Sequence, residues 1–278
     1  MIGKIVKQIS NDYTVSSNGK FYICKARGKF RNMKITPLVG DTVEFDENNL
    51  YLLEVLPRKN SLVRPPISNV DIALIITSVK DPDFSTNLLD KLLVIVEYNN
   101  IKPAIIFTKL DLLDENELKE IEEYINYYKK IGYDVYKNTE ITKIKELFKG
   151  NVCVFTGQSG AGKSTLLNKL DINLNIKTGE TSKALGRGKH TTRHTELLNI
   201  NGGLVADTPG FSSLSLSEMT SLDIRDNFKD FNLYRDMCKY KDCLHDREDK
   251  CIIKEKVDNN EILKSRYENY IKFIHSDK

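Results

Sequence analysis

No stretch of this 278-residue chain approaches the roughly 20 consecutive apolar residues a helix needs to cross a bilayer. Its start, MIGKIVKQIS, lacks the apolar core of a secretory signal. These two absences argue against a membrane partner and against export, and make the cytoplasm the expected location. Net charge is scarce too. The chain has 42 Lys and Arg against 39 Asp and Glu, leaving +3, too little to mark a nucleic-acid partner through bulk electrostatics. Any such case must rest on local clustering. Internal repeats and low-complexity tracts are missing, which excludes solenoids and extended disordered arrays. What remains is ordinary globular composition, 40% hydrophobic and 29% charged, in a chain long enough for two or three cores.

Cysteine is sparse and unevenly placed. Cys24 and Cys153 stand alone in strand-like apolar surroundings and read as small core residues. Cys238, Cys243 and Cys251 instead crowd around His245, and in a reducing compartment that pattern points to metal rather than disulfides. Three thiolates and an imidazole, spaced Cys-x4-Cys-x-His-x5-Cys, suit one tetrahedral Zn²⁺ per chain. With all four positions filled by protein, such an ion is structural and not catalytic.

The chain changes texture along its length. Up to about residue 60, short strand patterns (GKIVKQI, YTVSS, FYICKA, TVEF, YLLEVL) alternate with Asn and Gly turn signals, predicting a small β-barrel. PRKNSLVRPP then reads as a linker, because its prolines cannot continue a ladder. From Val70 the pattern becomes strand, helix, strand: VDIALIIT, NLLDKLLVIVEY, PAIIFT, ENELKEIEEYINYYKKI, YDVYK, TKIKELFK and NVCVFT. That rhythm predicts a parallel sheet wrapped by helices, with ELLNI and GLVAD as later strands. Beyond about Ser217 the chain is charged and helical. The expected division is 1–62, 63–216 and 217–278.

Residues Gly157, Gln158, Ser159, Gly160, Ala161, Gly162, Lys163 and Ser164 fit G-x-x-x-x-G-K-[ST], between a strand and a helix, with Thr165 next. The glycines let backbone N–H groups converge on phosphates, and the following helix adds its positive end. Lys163 is expected to reach the β- and γ-phosphates, and the Ser164 hydroxyl to ligate Mg²⁺. After GLVA come Asp207, Thr208, Pro209 and Gly210. Asp207 is a candidate for Mg²⁺ and Gly210 for a backbone contact to the γ-phosphate. Between these motifs, LGRGKHTTRH offers Thr191 and Thr192, with Thr192 favoured to complete Mg²⁺ coordination.

Thr108-Lys109-Leu110-Asp111 follows the strand PAIIF. The Asp111 carboxylate can accept two parallel hydrogen bonds from guanine N1–H and its 2-amino group, while the stem of Lys109 lies over the base. Adenine has neither donor and would strand a desolvated carboxylate, so guanine is the expected base. Lys137-Asn138-Thr139 is the one place for a loop touching guanine O6, and it is a poor match. The residue after Gly210 is Phe211, where many GTPases carry a water-orienting glutamine. His190 is the candidate replacement, because an imidazole can orient or deprotonate water. His190, Thr192 and Lys163 are therefore the expected catalytic residues.

In most GTPases the guanine motif follows the phosphate loop and both switches; here it precedes them. The order implies a circular permutation that places the second switch directly before the Cys/His segment. Together with CKARGKFR, PLVGDTVEF, PRKNSLVRPPISNVD, GQSGAGKSTLLN, GRGKHTTRHTELL, DTPGFSSL and CKYKDCLHDREDKC, the chain resembles the RsgA (YjeQ/YloQ) family nearly end to end. The resemblance implies an α/β fold: an N-terminal OB-fold β-barrel, a circularly permuted P-loop GTPase domain and a C-terminal α-helical zinc-binding domain. It implies GTP hydrolysis to GDP during late maturation of the small (30S) ribosomal subunit, stimulated by the ribosome, with 16S rRNA as partner. It supports His190 as the catalytic residue. No DNA partner is expected, and the chain should act as a monomer. The stretch around Lys137–Thr139 departs from the family's serine-alanine loop. Lys25, Arg27, Lys29, Arg31 and Lys34 gather around Phe30 on an expected barrel loop, the kind of face OB-folds present to RNA. Arg58, Lys59 and Arg64 mark the junction as a second basic patch.

Overall fold

The computed structural model describes residues 1–28, 30, 35–62, 66–171, 195–207 and 216–276, with only the backbone of Thr195 and Asp207. Strands β1 (Ile2–Ile9), β2 (Asp12–Ser17), β3 (Lys20–Ala26), β4 (Thr42–Asp46) and β5 (Tyr51–Val55) match the five patterns read from the sequence. Their order is β1-β2-β3-β5-β4, and β4 pairs back onto β1. That closure is the OB-fold barrel. Ile5, Val15, Cys24, Val43, Phe45 and Leu52 fill it, so Cys24 is the core residue its surroundings implied. Ile5 and Val6 are both buried although adjacent, because a bulge in β1 falls between Ile5 and Lys7.

The linker is more ordered than its prolines imply. Strand β6 (Ser61–Leu62) pairs antiparallel with β7 (Ile67–Ser68). Leu62 and Ile67 are buried, and Ile67 also bridges to Val39, so apolar contact with the barrel sets this short hairpin.

The alternating region runs β8 (Ile72–Ser78), α1 (Thr86–Tyr98), β9 (Lys102–Thr108), α2 (Glu115–Lys130), β10 (Asp134–Lys137), α3 (Ile141–Glu146), β11 (Val152–Gly157) and α4 (Lys163–Leu170). Strands β12 (Thr195–Ile200) and β13 (Gly203–Asp207) follow. The sheet order is β10-β9-β8-β11-β13-β12, parallel except for β12. Every residue of β8 is buried, as a central strand covered on both faces must be. Ala73, Ile75, Ile105 and Phe107 face a core shared with α1 and α2. Leu74, Ile76, Ala104 and Ile106 face α3 and α4. Helix α2 starts at a capping box in which Asp114 and Glu117 satisfy each other's backbone N–H groups.

The chain ends in α5 (Ser221–Asp226), α6 (Ile252–Asp258) and α7 (Lys264–His275), separated by irregular turns. Their core of Phe228, Phe231, Tyr270 and Phe273 also takes in Val94 and Ile95 of α1. Helix α1 is thus shared between the sheet and the tail. Among the described residues no helix is long and apolar enough to cross a membrane.

Candidate nucleotide-binding site

The parallel strands end side by side. Gly157 of β11 lies opposite Ile76 of β8, Thr108 of β9 lies opposite Ser78, and Lys137 of β10 lies opposite Phe107. Asp207 closes β13 beside β11. The guanine motif, the phosphate loop and the backbone of Asp207 therefore open at one carboxyl edge of the sheet, the usual position for a ligand in an open α/β fold.

The phosphate loop is built by glycine. Gly157, Gly160 and Gly162 all have positive φ, at 129°, 78° and 90°. At Gly157 a Cβ would meet the Ile76 carbonyl oxygen at 2.1 Å, so no other residue fits there. Helix α4 begins after Gly162 with no side-chain cap, leaving its first-turn amides for an anion to complete. Lys163 Nζ donates to the carbonyls of Gly157 (2.8 Å) and Gln158 (2.5 Å), which fold the side chain back over the loop. Burial holds its ammonium below the usual lysine range. A bound polyphosphate would oppose that shift and favour the charged form. Ala161 and Ser164 are buried, whereas Ser159, Gly160 and Thr165 are exposed at the loop.

The guanine motif joins this loop through one hydrogen bond. Thr108 Oγ1, buried, donates to the Ala161 carbonyl at 2.7 Å across 53 residues of sequence. Lys109 then adopts the left-handed conformation (φ 62°) and the chain turns through Leu110–Leu112, which leaves Asp111 exposed. The Lys109 ammonium donates to the Asp81 carbonyl. Lys137–Thr139 follows the strand next to the guanine motif, but the Asn138 N–H is spent on the Phe107 carbonyl at 2.9 Å.

His190, Thr191, Thr192, Gly210 and Phe211 lie outside the described residues, as does the side chain of Asp207. The described part of the site is its base-and-phosphate half.

A second constellation lies in the tail. Ligand atoms of Cys238, Cys243, His245 and Cys251 all fall within 4.8 Å of one another. Cys243 Sγ and Cys251 Sγ are 3.8 Å apart, and His245 Nδ1 is 3.2 Å from Cys251 Sγ and 3.6 Å from Cys238 Sγ. Tetrahedral Zn–S bonds of about 2.3 Å place two sulfurs about 3.8 Å apart, so this set fits Zn²⁺. None of these cysteines is in a disulfide. Burial pushes the Cys243 thiol up to about 12 and the His245 imidazole down to about 4. The Cys243 and Cys251 sulfurs would thus be held as neutral thiols unless a cation compensated the burial.

The basic patches divide. Lys25 and Arg27 are exposed, and the Arg27 guanidinium sits 5.6 Å from the Tyr51 ring centre. Phe30 is not on the surface with them but in the core, 3% exposed. The outward rings and aliphatic side chains near Lys25 are Phe21, Ile23 and Tyr51. Lys29, Arg31, Lys34 and Arg64 lie outside the described residues. Arg58 and Lys59 do not form an open patch, since Arg58 pairs with buried Asp41 at 2.7 Å and Lys59 pairs with Asp71.

The sequence alone did not single out the loop from Lys80 to Phe84 beside the phosphate loop, or the buried residues Asp90, Asp230 and Arg266. The first carried only a generic Asp-Pro turn signal, and the second set is assembled from distant parts of the chain.

Comparison with known proteins agrees with this geometry. The family model described as RsgA GTPase matches residues 55–217, and that described as RsgA N-terminal domain matches residues 2–50. The chain is 50% identical to the small ribosomal subunit biogenesis GTPase RsgA 2 of Oceanobacillus iheyensis, covering 98% of this chain and 96% of that one. It is 48% identical to the small ribosomal subunit biogenesis GTPase RsgA of Enterococcus faecalis, covering 98% and 94%. The crystal structure of YloQ, a circularly permuted GTPase, superposes with a TM-score of 0.84 at 40% identity, covering 98% of this chain and 93% of that one. YjeQ from Thermotoga maritima gives 0.86 at 35%, covering 100% and 99%. The chain belongs to the RsgA (YjeQ/YloQ) family of circularly permuted GTPases.

Proposed function

We propose that this chain hydrolyses GTP to GDP in the late maturation of the small ribosomal subunit, in the cytoplasm, and that the subunit stimulates the reaction. The observation that carries the reading is the 2.7 Å bond from Thr108 to Ala161, which holds the guanine-reading turn against the phosphate loop. A family whose relatives are named for small-subunit biogenesis supplies the partner, the 30S subunit with its 16S rRNA.

Asp111 reads the base, the backbone from Gly157 to Thr165 cradles the phosphates, and Lys163 neutralises them. Ser164, Asp207 and Thr192 would hold the Mg²⁺ that accompanies GTP and supplies charge neutralisation at the phosphates. Gly210 would sense the γ-phosphate through its N–H, and His190 would orient the attacking water. The zinc would staple the tail, held by Cys238, Cys243, His245 and Cys251. The units are 1–62, 63–216 and 217–278, and the barrel's Lys25, Arg27, Lys29, Arg31 and Lys34 would meet rRNA phosphates.

The test is GTP turnover measured with and without purified small subunits. We expect slow turnover alone and a large increase with subunits. His190→Ala should keep GTP affinity while losing the stimulated rate; an unchanged stimulated rate would remove His190 from the mechanism. Absence of any subunit effect on the unsubstituted protein would remove the ribosomal partner.

A further inference from the structure

The loop between β8 and α1 crosses from the base half of the site to the phosphate half. At its start, Ser78 Oγ donates to the Lys80 carbonyl at 2.8 Å, and the Val79 N–H donates to the Thr108 carbonyl at 3.2 Å. At its end, the Phe84 ring packs against Phe107 and Tyr124, with centres 5.7 Å and 5.1 Å away. Ser85 then caps α1 by accepting from the Leu88 N–H at 3.2 Å. Both ends are anchored, so the middle is held in place.

That middle touches three parts of the site. The Asp81 carbonyl accepts the Lys109 ammonium of the guanine motif. Pro82 Cδ lies 3.6 Å from where a Cβ on Gly160 would sit, against the apex of the phosphate loop. Lys80 Nζ reaches both carboxylate oxygens of Glu117 at 2.9 Å, and Glu117 in turn accepts the Asp114 N–H at 2.9 Å, three residues after Asp111. The guanine-reading turn is thus gripped on both sides by neighbouring residues of one loop. That loop also leans on the phosphate loop.

We propose that Lys80, Asp81 and Pro82 form a positioning brace for the nucleotide. It sets the distance between the residue that covers the base and the loop that holds the phosphates. Preorganisation of this kind acts on affinity, since a loosened site must be reordered by each ligand that enters. Its contacts fall on Lys109, Glu117 and Gly160, none of which is expected to meet the γ-phosphate. Loss of the brace should therefore weaken GDP and GTP by the same factor and leave the chemical step alone. The inference rests on the nucleotide reading given above.

The test measures equilibrium binding of GDP and a non-hydrolysable GTP analogue to the full chain. Lys80→Ala should weaken both by about threefold, as removal of one half-exposed ion pair implies. Pro82→Gly should weaken both by about tenfold, through freedom given to the loop. Lys80→Arg should restore affinity. Basal turnover should show a raised KM with kcat held, and Lys80→Arg should return KM to that of the unsubstituted protein, a split that a merely structural role would not produce. Asp111→Asn is the control, because a carboxamide suits xanthine, which carries a carbonyl where guanine has its 2-amino group. Unchanged affinity in both loop variants, with the base preference of Asp111→Asn shifted, overturns the brace alone. An Asp111→Asn variant that binds GDP normally overturns the nucleotide reading and the brace with it. If Pro82→Gly fails to fold, the Lys80 pair decides the matter.

Discussion

The GTPase domain is held at two ends by opposite kinds of bonding. On the tail side the join is ionic and dry. Arg266 of α7 is 1% exposed; it donates to Asp230 through Nε at 2.8 Å and Nη2 at 2.7 Å, and to Asp90 of α1 at 2.5 Å. Two carboxylates share one guanidinium, and hydroxyl and amide donors make up the difference. Tyr127 donates to Asp230 at 2.7 Å, and Tyr128 and Asn269 each donate to Asp90 at 2.7 Å. Burial, with the neighbouring carboxylates, pushes both tyrosine hydroxyls well up, so they remain donors. On the barrel side one join is a ladder, separate from the buried Asp41–Ser68 bond at the linker hairpin. Strand β1 pairs with β12 at Lys7–Glu196 and Gln8–Thr195, extending the sheet into the barrel. A Lys7–Glu196 ion pair at 2.8 Å flanks it, with both side chains about a third exposed.

The difference concerns stiffness. A buried, fully bonded charge network has one geometry, because any displacement leaves a desolvated charge unpaired. A two-residue ladder beside a solvated pair can shift at small cost. Strand β12 also leads directly out of the segment that carries His190 and Thr192. The soft join is therefore the one that follows the first switch in sequence. The stiff one fixes α1, which lines a small pocket against Gly157 and Gln158.

The sharpest way to break this contrast is to remove the guanidinium. Arg266→Ala would leave Asp90 and Asp230 buried without a cation, and breaking a buried pair in this way costs about 3–5 kcal/mol. Urea unfolding should show that loss. A cost under about 1 kcal/mol would mean water reaches the network, and the join would not be stiff.

Much of the site was legible because its motifs are local. Eight consecutive residues specify the phosphate loop, four the guanine turn and fourteen the Cys/His cluster, each with its own spacing. Parallel strands then bring such segments together at one edge, so a 53-residue gap between Thr108 and Ala161 is bridged by topology that the strand-helix rhythm already implied. The Arg266 network had no such signal, since Arg266 lies in a tail that reads only as charged helix, 176 residues from Asp90 in the first helix of the alternating region. Phe30 misled for a related reason. A phenylalanine among five cations reads as part of a surface patch, yet its ring fills the core while Lys25 and Arg27 are exposed. The Arg58–Asp41 pair is equally silent in the sequence, because a cation in a linker gives no sign of the buried carboxylate it meets.

That carboxylate offers the next test. Asp41 is fully buried at the base of the barrel and accepts from Leu38 N–H (2.7 Å), Ser68 Oγ (2.6 Å) and Arg58 Nε (2.7 Å) and Nη2 (2.8 Å). Arg58→Ala removes the charge partner but leaves two donors, and Arg58 is itself a quarter exposed, so water can enter. The expected cost is about 1–3 kcal/mol, below that of Arg266→Ala. Urea denaturation of the two variants side by side gives the ranking, and a reversed order would show that the barrel join holds the stiffer charge.

The smallest effect should come from the pair beside the ladder. Lys7 and Glu196 hold their charges in partial contact with water, where such pairs contribute about 0–1 kcal/mol and are screened by salt. A double-mutant cycle over Lys7→Ala and Glu196→Ala should give a coupling below about 1 kcal/mol that shrinks further in high salt. The exchanged pair, Lys7→Glu with Glu196→Lys, should match the unsubstituted protein, because the ladder's hydrogen bonds are backbone bonds and ignore which side chain is which. A coupling above about 2 kcal/mol, insensitive to salt, would place both charges out of water and make the two joins alike.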